Sequence, residues 1–169
     1  VVERGAGAKS HFPDKAYEEA GARIASTTQT ALEKADVVLK VGPPMTQEDG
    51  GEDEVSLLPD GALLLGILQP YTKQALMPAY NKRKITAFAL ELAPRITRAQ
   101  AIDVLSSQSN LAGYRAVIEA SNSFQKAFPM MMTAAGTIAP ARVLILGAGV
   151  AGLQAVATAK RLGAIVSVF

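Results

Sequence analysis

Val143-Leu144-Ile145-Leu146, then Gly147-Ala148-Gly149-Val150-Ala151-Gly152, then a helix-compatible run to Leu162 form the stretch that decides the fold. An apolar strand running into G-x-G-x-x-G and a helix is the dinucleotide-binding fingerprint in its proper context. The first glycine permits a tight turn, and the second lets the backbone approach a pyrophosphate. The third lets helix and strand pack closely, while the helix N-terminus offers N–H groups and a positive dipole to the phosphates. Gly147, Ala148, Gly149, Val150 and Gly152 are therefore the candidate cofactor-binding residues. A tight glycine-rich turn with no ligand is the alternative. A second strand is expected over Ala164 to Phe169, where the sequence stops. The acid that would hold a ribose 2′-OH is expected ~20 residues past the glycines, so the choice of NAD over NADP stays open. The start, Val1-Val2-Glu3, lacks a Met and reads as the middle of a strand, so both ends are expected to be cut.

Upstream, short helices alternate with short apolar runs. Lys15 to Ala20 has helical composition and closes on Gly21 before Ile24-Ala25, and Thr27-Thr28 suits the cap of a helix over Thr30 to Ala35. Val37 to Val41 is a strand by β-branched content, ended by Gly42-Pro43-Pro44. Leu63 to Leu68 and Ile85 to Leu90 are two more strands, with a crossover helix over Thr72 to Asn81 that Pro78 should kink or shorten. Helices of this length between strands mean βαβ units and a parallel sheet. Runs this apolar predict a sheet covered on both faces. From Ala99 to Lys126 there is no proline, and apolar residues recur at helical intervals, which predicts a long helix ended by Phe128-Pro129. Met130 to Thr133 reads as the connection to the fingerprint strand. The fold expected is α/β, with two Rossmann-like parallel-sheet domains joined by the long helix, both incomplete, and a cleft between them.

The 169 residues suffice for one domain or parts of two, and 49% hydrophobic with 19% charged content is that of an ordinary globular chain. A net charge of +2 gives no argument for a nucleic-acid partner, and Lys82-Arg83-Lys84 reads as a solvated helix end. Without cysteine there is no disulfide framework or thiolate chemistry, and with a single His11 a zinc site is not expected. No window reaches the ~20 apolar residues of a membrane span. Thr46 to Glu54 holds five of the fifteen acids around Gly50-Gly51. It lacks the spacing of a calcium loop and reads as a mobile solvated loop.

A second constellation spans Pro94 to Ser107. If a helix starts near Thr97, then Gln100, Asp103 and Ser107 share one face. Asp103 equally suits the first turn of a helix, and Gln100 a solvent-facing position.

Ser106-Ser107-Gln108-Ser109-Asn110-Leu111-Ala112-Gly113-Tyr114-Arg115-Ala116-Val117-Ile118, Met132 to Thr137, Pro140-Ala141-Arg142-Val143 and Gly147 to Gln154 together resemble the proton-translocating NAD(P) transhydrogenases. The similarity is to the soluble NAD(H)-binding domain of the alpha subunit, and it starts at Val2-Glu3-Arg4-Gly5-Ala6-Gly7. That family shares its fold with alanine dehydrogenase. The resemblance divides the chain into an N-terminal alanine dehydrogenase/transhydrogenase-type domain over 1–118, missing its first strand and helix, and the start of an NAD-binding Rossmann domain over 119–169. In alanine dehydrogenases a Lys and a His bind the pyruvate. Here Gly42 stands in the place of the Lys, and the place of the His falls near Leu68-Gln69. A site with neither has no evident means of reductive amination. The transhydrogenase loop that reaches the nicotinamide maps onto Arg95, Gln100, Asp103 and Ser106, all present. The resemblance gives these four catalytic roles, with Arg95, Gln100 and Asp103 also in contact with the cofactor. Gln100 would hold the carboxamide or a ribose hydroxyl, and Arg95 and Asp103 would orient one another and the ring.

The resemblance implies an NAD(H)-binding part of an enzyme that passes hydride between NAD(H) and NADP(H), coupled to proton movement through membrane segments. The implied partners are an NADP(H)-binding domain and a transmembrane domain of the same enzyme, and a second copy of the NAD-binding component in a homodimer. The implied place is the cytoplasmic side of the bacterial inner membrane. This piece alone is expected to bind NAD(H) without pumping protons. An alanine dehydrogenase-like oxidoreductase and a non-enzymatic nucleotide-binding module are the competing readings.

Overall fold

In the computed structural model, which describes residues 1–169, the apolar runs become short parallel strands spaced by helices. They fall into two units, Val1–Pro94 and Arg95–Phe169.

The first unit opens with β1 (Val2–Glu3), α1 (Asp14–Glu19) and β2 (Ile24–Ala25), the two strands pairing in parallel. Thr27 caps α2 (Thr28–Leu32), its hydroxyl accepting from Thr30 N at 3.2 Å. Then follow β3 (Val37–Leu39), α3 (Glu54–Leu57), β4 (Leu63–Gly66), α4 (Leu76–Lys82) and β5 (Thr86–Ala89). The three strands form a parallel sheet in the order β3-β4-β5, with Val38 opposite Leu64 and Leu64 opposite Ala87. Val38 and Leu64 face a core of Val55, Leu58, Leu68, Leu76, Tyr80 and Ile85. Because side chains alternate along a strand, Val37, Leu39, Leu63 and Phe88 fall on the other face. That face is open, with Leu39 75% and Phe88 52% exposed. The expected double covering is therefore corrected: this chain covers one face of the sheet only.

Two local readings are also corrected. The crossover helix starts at Leu76 rather than Thr72, which makes Pro78 its third residue. The N–H groups of a first turn have no intrahelical acceptor, so a proline there removes no bond and no kink is needed. The acidic stretch is not simply a solvated loop. Thr46 and Asp49 form a capping box around a single 3₁₀ turn, and Lys73 Nζ lies 2.6 Å from the Asp49 carboxylate. Glu54 is buried, its Oε2 accepting from Lys40 Nζ and from Met45 N, each at 2.5 Å. Of the acids that looked alike in sequence, Asp49 and Asp53 act as caps, Asp49 also pairs with Lys73, and Glu54 is a buried anchor. Near that anchor the Tyr80 hydroxyl is buried without a partner, and burial, then the Glu54 charge, push it up to about 12.

The second unit begins with a 3₁₀ segment, Thr97–Ile102, and α5 (Val104–Ser123). The helix expected from Ala99 to Lys126 is shorter at both ends. Asp103 caps its start, and Phe124 and Gln125, the latter at φ 56°, end it before Phe128-Pro129. Met130 to Thr133 is more than a connection. β6 (Met131–Thr133) and β7 (Gly136–Ile138) make an antiparallel hairpin, closed by Thr133 Oγ1 donating to Gly136 O at 2.9 Å. β8 (Arg142–Ile145), α6 (Val150–Arg161) and β9 (Ile165–Val168) complete a parallel βαβ unit. Its core is Val117 of α5 with Phe128, Ala141, Ala155 and Ala159. No helix is long and apolar enough to cross a membrane.

Candidate functional site

The three fingerprint glycines have different physical reasons to be glycine. Gly147 sits at φ +98°, a conformation that L side chains rarely adopt, and its N–H donates to Phe169 O at 2.6 Å as the chain turns away from β8. A Cβ on Gly152 would strike the Gly147 carbonyl oxygen, with the carbonyl carbon at 2.9 Å, so the first turn of α6 packs directly on the preceding turn. Gly149 is bound by neither constraint. Its φ of −74° suits any residue, and a Cβ there meets nothing within 4 Å. The fold therefore demands glycine at 147 and 152 and leaves 149 open to the outside. Gly149 is also the N-cap of α6 and supplies no side-chain acceptor, so no capping side chain satisfies the first-turn N–H groups. The exposed turn from Gly147 to Val150 presents those donors at the carboxyl end of β8, the edge at which parallel α/β sheets bind ligands.

The Arg95–Ser106 segment also lies in this unit. Gln100 is exposed within the 3₁₀ turn, outside α5, so the helical face expected to join Gln100, Asp103 and Ser107 does not exist as such. The cause is Asp103. Its carboxylate accepts from Ser106 N at 2.9 Å and Ser106 Oγ at 2.7 Å, which stops the helix from propagating upstream. Those Ser106 bonds, with a weaker contribution from the Arg95 charge, hold the Asp103 carboxyl below the ordinary carboxylate range. Arg95 is exposed and makes no direct ion pair with it. So Asp103 and Ser106 are brought together, while Gln100 and Arg95 flank them with free side chains. The cap was legible in the D-x-x-S spacing.

In the first unit, Gly42 and Gln69 are the positions expected to replace the alanine dehydrogenase Lys and His. Gly42 stands beside open space, and Lys40 is turned to Glu54. Gln69 adopts φ 52°, its N–H and that of Leu68 donating to the Glu91 carboxylate at 2.5 and 3.2 Å. Glu91 is a structural residue to which no sequence motif pointed.

Parallel sheets with βαβ crossovers and a glycine turn at a strand's carboxyl end define a Rossmann-like α/β protein. Residues 1–112 match the family described as "Alanine dehydrogenase/PNT, N-terminal domain" and residues 116–169 its C-terminal domain, and the chain belongs to that alanine dehydrogenase/PNT family. It is 61% identical over 98% of its length to the first portion of the NAD(P) transhydrogenase alpha subunit of Rhodospirillum rubrum, covering 43% of that protein. It superposes on the crystal structure of transhydrogenase from Sinorhizobium meliloti with a TM-score of 0.90 at 53% identity, over 99% of this chain and 48% of that one. An L-alanine dehydrogenase structure is more distant, with a TM-score of 0.78 at 26% identity over 99% of this chain and 45% of that one. The chain thus spans less than half the length of the relatives it matches.

Proposed function

We propose that this chain is the NAD(H)-binding part of a transhydrogenase that passes hydride between NAD(H) and NADP(H). The observation that carries the reading is Gly149, a glycine that neither backbone conformation nor packing requires, at an uncapped helix N-terminus. A pyrophosphate lying against the turn supplies the missing reason. In this reading the Gly147–Gly152 turn holds the phosphates, and the Gln100 amide and Arg95 reach the nicotinamide end. Asp103 and Ser106 keep the segment's geometry.

NAD(H), when bound, supplies the hydride. The chain's residues bind, orient and exclude water, and no general base is needed for transfer between two nicotinamides. The NADP-binding domain, the membrane domain, coupling to proton translocation, a homodimer and attachment on the cytoplasmic side belong to the same proposal. Its support is the similarity to NAD(P) transhydrogenase alpha subunits. The alanine dehydrogenase reading is disfavoured by Gly42 and by the Gln69 backbone held on Glu91.

The test compares Gly149→Ala with Gly152→Ala in the full-length protein. Gly149→Ala should fold to within about 1 kcal/mol of wild type, the cost of alanine at an N-cap. Its NADH affinity should fall on the order of tenfold by fluorescence titration, about 1.4 kcal/mol. Gly152→Ala should lose stability first. Unchanged NADH affinity in Gly149→Ala would leave the turn a purely structural one.

A further inference from the structure

One glycine in the middle of a helix plays no role in holding the phosphates or the nicotinamide. Gly113 lies eleven residues before Phe124, the C-cap of α5, in a run otherwise compatible with any helix former, and glycine there costs about 1 kcal/mol relative to alanine. It is buried, and its φ is not in the left-handed region, so conformation does not explain it. Packing does. A Cβ at 113 would strike the Ala151 carbonyl oxygen, with the carbonyl carbon at 2.8 Å and the Cα at 3.0 Å. All three are backbone atoms, so no side chain can move aside. Ala151 is the second residue of α6 and lies inside the glycine fingerprint. The two helices therefore touch backbone to backbone at the point where α6 begins. Val117, Ala155 and Ala159 continue the contact in the core.

This crossing joins the two halves of the proposed site. Seven residues separate Gly113 from Ser106, about 10 Å of helix, and Asp103 caps the same helix. We propose that Gly113 is a positioning residue for the proposed hydride transfer. Its missing side chain sets the separation of α5 from the start of α6, and through it the placement of the Arg95–Ser106 segment relative to the phosphate-holding turn. The inference rests on the NAD(H) reading above. A methyl group at 113 must lift α5 away from the Ala151 backbone and carry Gln100 and Arg95 with it. The Gly147–Gly152 turn keeps its own bonds. A misplacement of ~1 Å can cost on the order of 100-fold in rate.

The experiment uses the full-length protein with its NADP-binding partner and compares wild type, Gly113→Ala, Val117→Ile and Val117→Ala. Val117→Ile adds one methylene at the same crossing and is the gentler wedge should Gly113→Ala not fold. Val117→Ala destabilises that crossing without wedging it apart. Three quantities are read: ADP affinity, NADH affinity and single-turnover hydride transfer to NADP+. Expected is a loss of transfer of at least tenfold in Gly113→Ala and a smaller loss in Val117→Ile, with ADP affinity within about twofold of wild type. Transfer in Val117→Ala should stay within about threefold. Equal losses in ADP affinity and transfer, losses in Val117→Ala matching those of Gly113→Ala, or full transfer in both wedge variants would overturn the positioning role. A wild type that binds neither ADP nor NADH overturns the parent reading and this inference with it.

Discussion

Asp103 and Gln100 are neighbours in sequence with opposite chemical circumstances. The Asp103 carboxylate is satisfied by Ser106, whose N–H and hydroxyl hold its pKa down. A carboxyl depressed in the folded state adds stability that is present above the unfolded value, about 3.9, and is lost as pH falls through the folded value. Ser106→Ala should therefore move the Asp103 titration, followed by carboxyl NMR, upward toward the ordinary value. It should also shrink the part of the stability that is lost between the unfolded and the folded value as pH falls. An unmoved titration would mean that the Ser106 hydroxyl contributes nothing and that the residue 106 N–H holds the carboxylate without it. Gln100, by contrast, is exposed with a free amide. Gln100→Asn keeps the amide and withdraws it by one methylene. Hydride transfer should drop on the order of 100-fold while NADH affinity falls only modestly, because the phosphates are held elsewhere. Transfer within about threefold of wild type would remove Gln100 from the reacting centre. Equal losses in both would make it a simple binding residue.

At the scale of elements, the strands and the fingerprint turn were legible because their signals are local. Short apolar runs became β3, β4 and β8, and G-x-G-x-x-G became the β8–α6 turn. What was not legible depended on partners distant in sequence. Glu54 looked like one acid among five, yet its partner Lys40 is fourteen residues away. Lys40 is tied to that carboxylate from the end of β3, so the pair fixes the loop that leaves the sheet. Lys40→Met should leave Glu54 buried with only the Met45 N–H. The expected loss is about 2–3 kcal/mol in urea unfolding, below the full cost of breaking a buried pair because Lys40 is partly exposed. A loss under about 0.5 kcal/mol would show the pair to behave as a surface one. The start of α5 was misplaced for a related reason. Helical periodicity runs smoothly through Ala99 to Ile102, but a cap at Asp103 overrides it.

For the molecule as a whole, the open face of the β3-β4-β5 sheet and the exposed apolar residues Leu144, Leu146 and Phe169 belong to a chain that spans less than half of its relatives. The sequence predicted that sheet to be buried on both sides from composition alone, and composition does not say which residues do the covering. It was more informative about two positions of the first unit: on the proposed reading Gly42 and Gln69 take the places of a Lys and a His, and neither residue can serve as a general acid or base there. The central claim is therefore a choice between two hydride-transfer reactions in the full-length protein, and one comparison, with the nucleotide products separated by chromatography, decides it. With the NADP-binding partner present, NADH and NADP+ should exchange hydride, while alanine with NAD+ should yield no detectable NADH. Alanine-dependent NADH production without transfer to NADP+ would contradict the assignment.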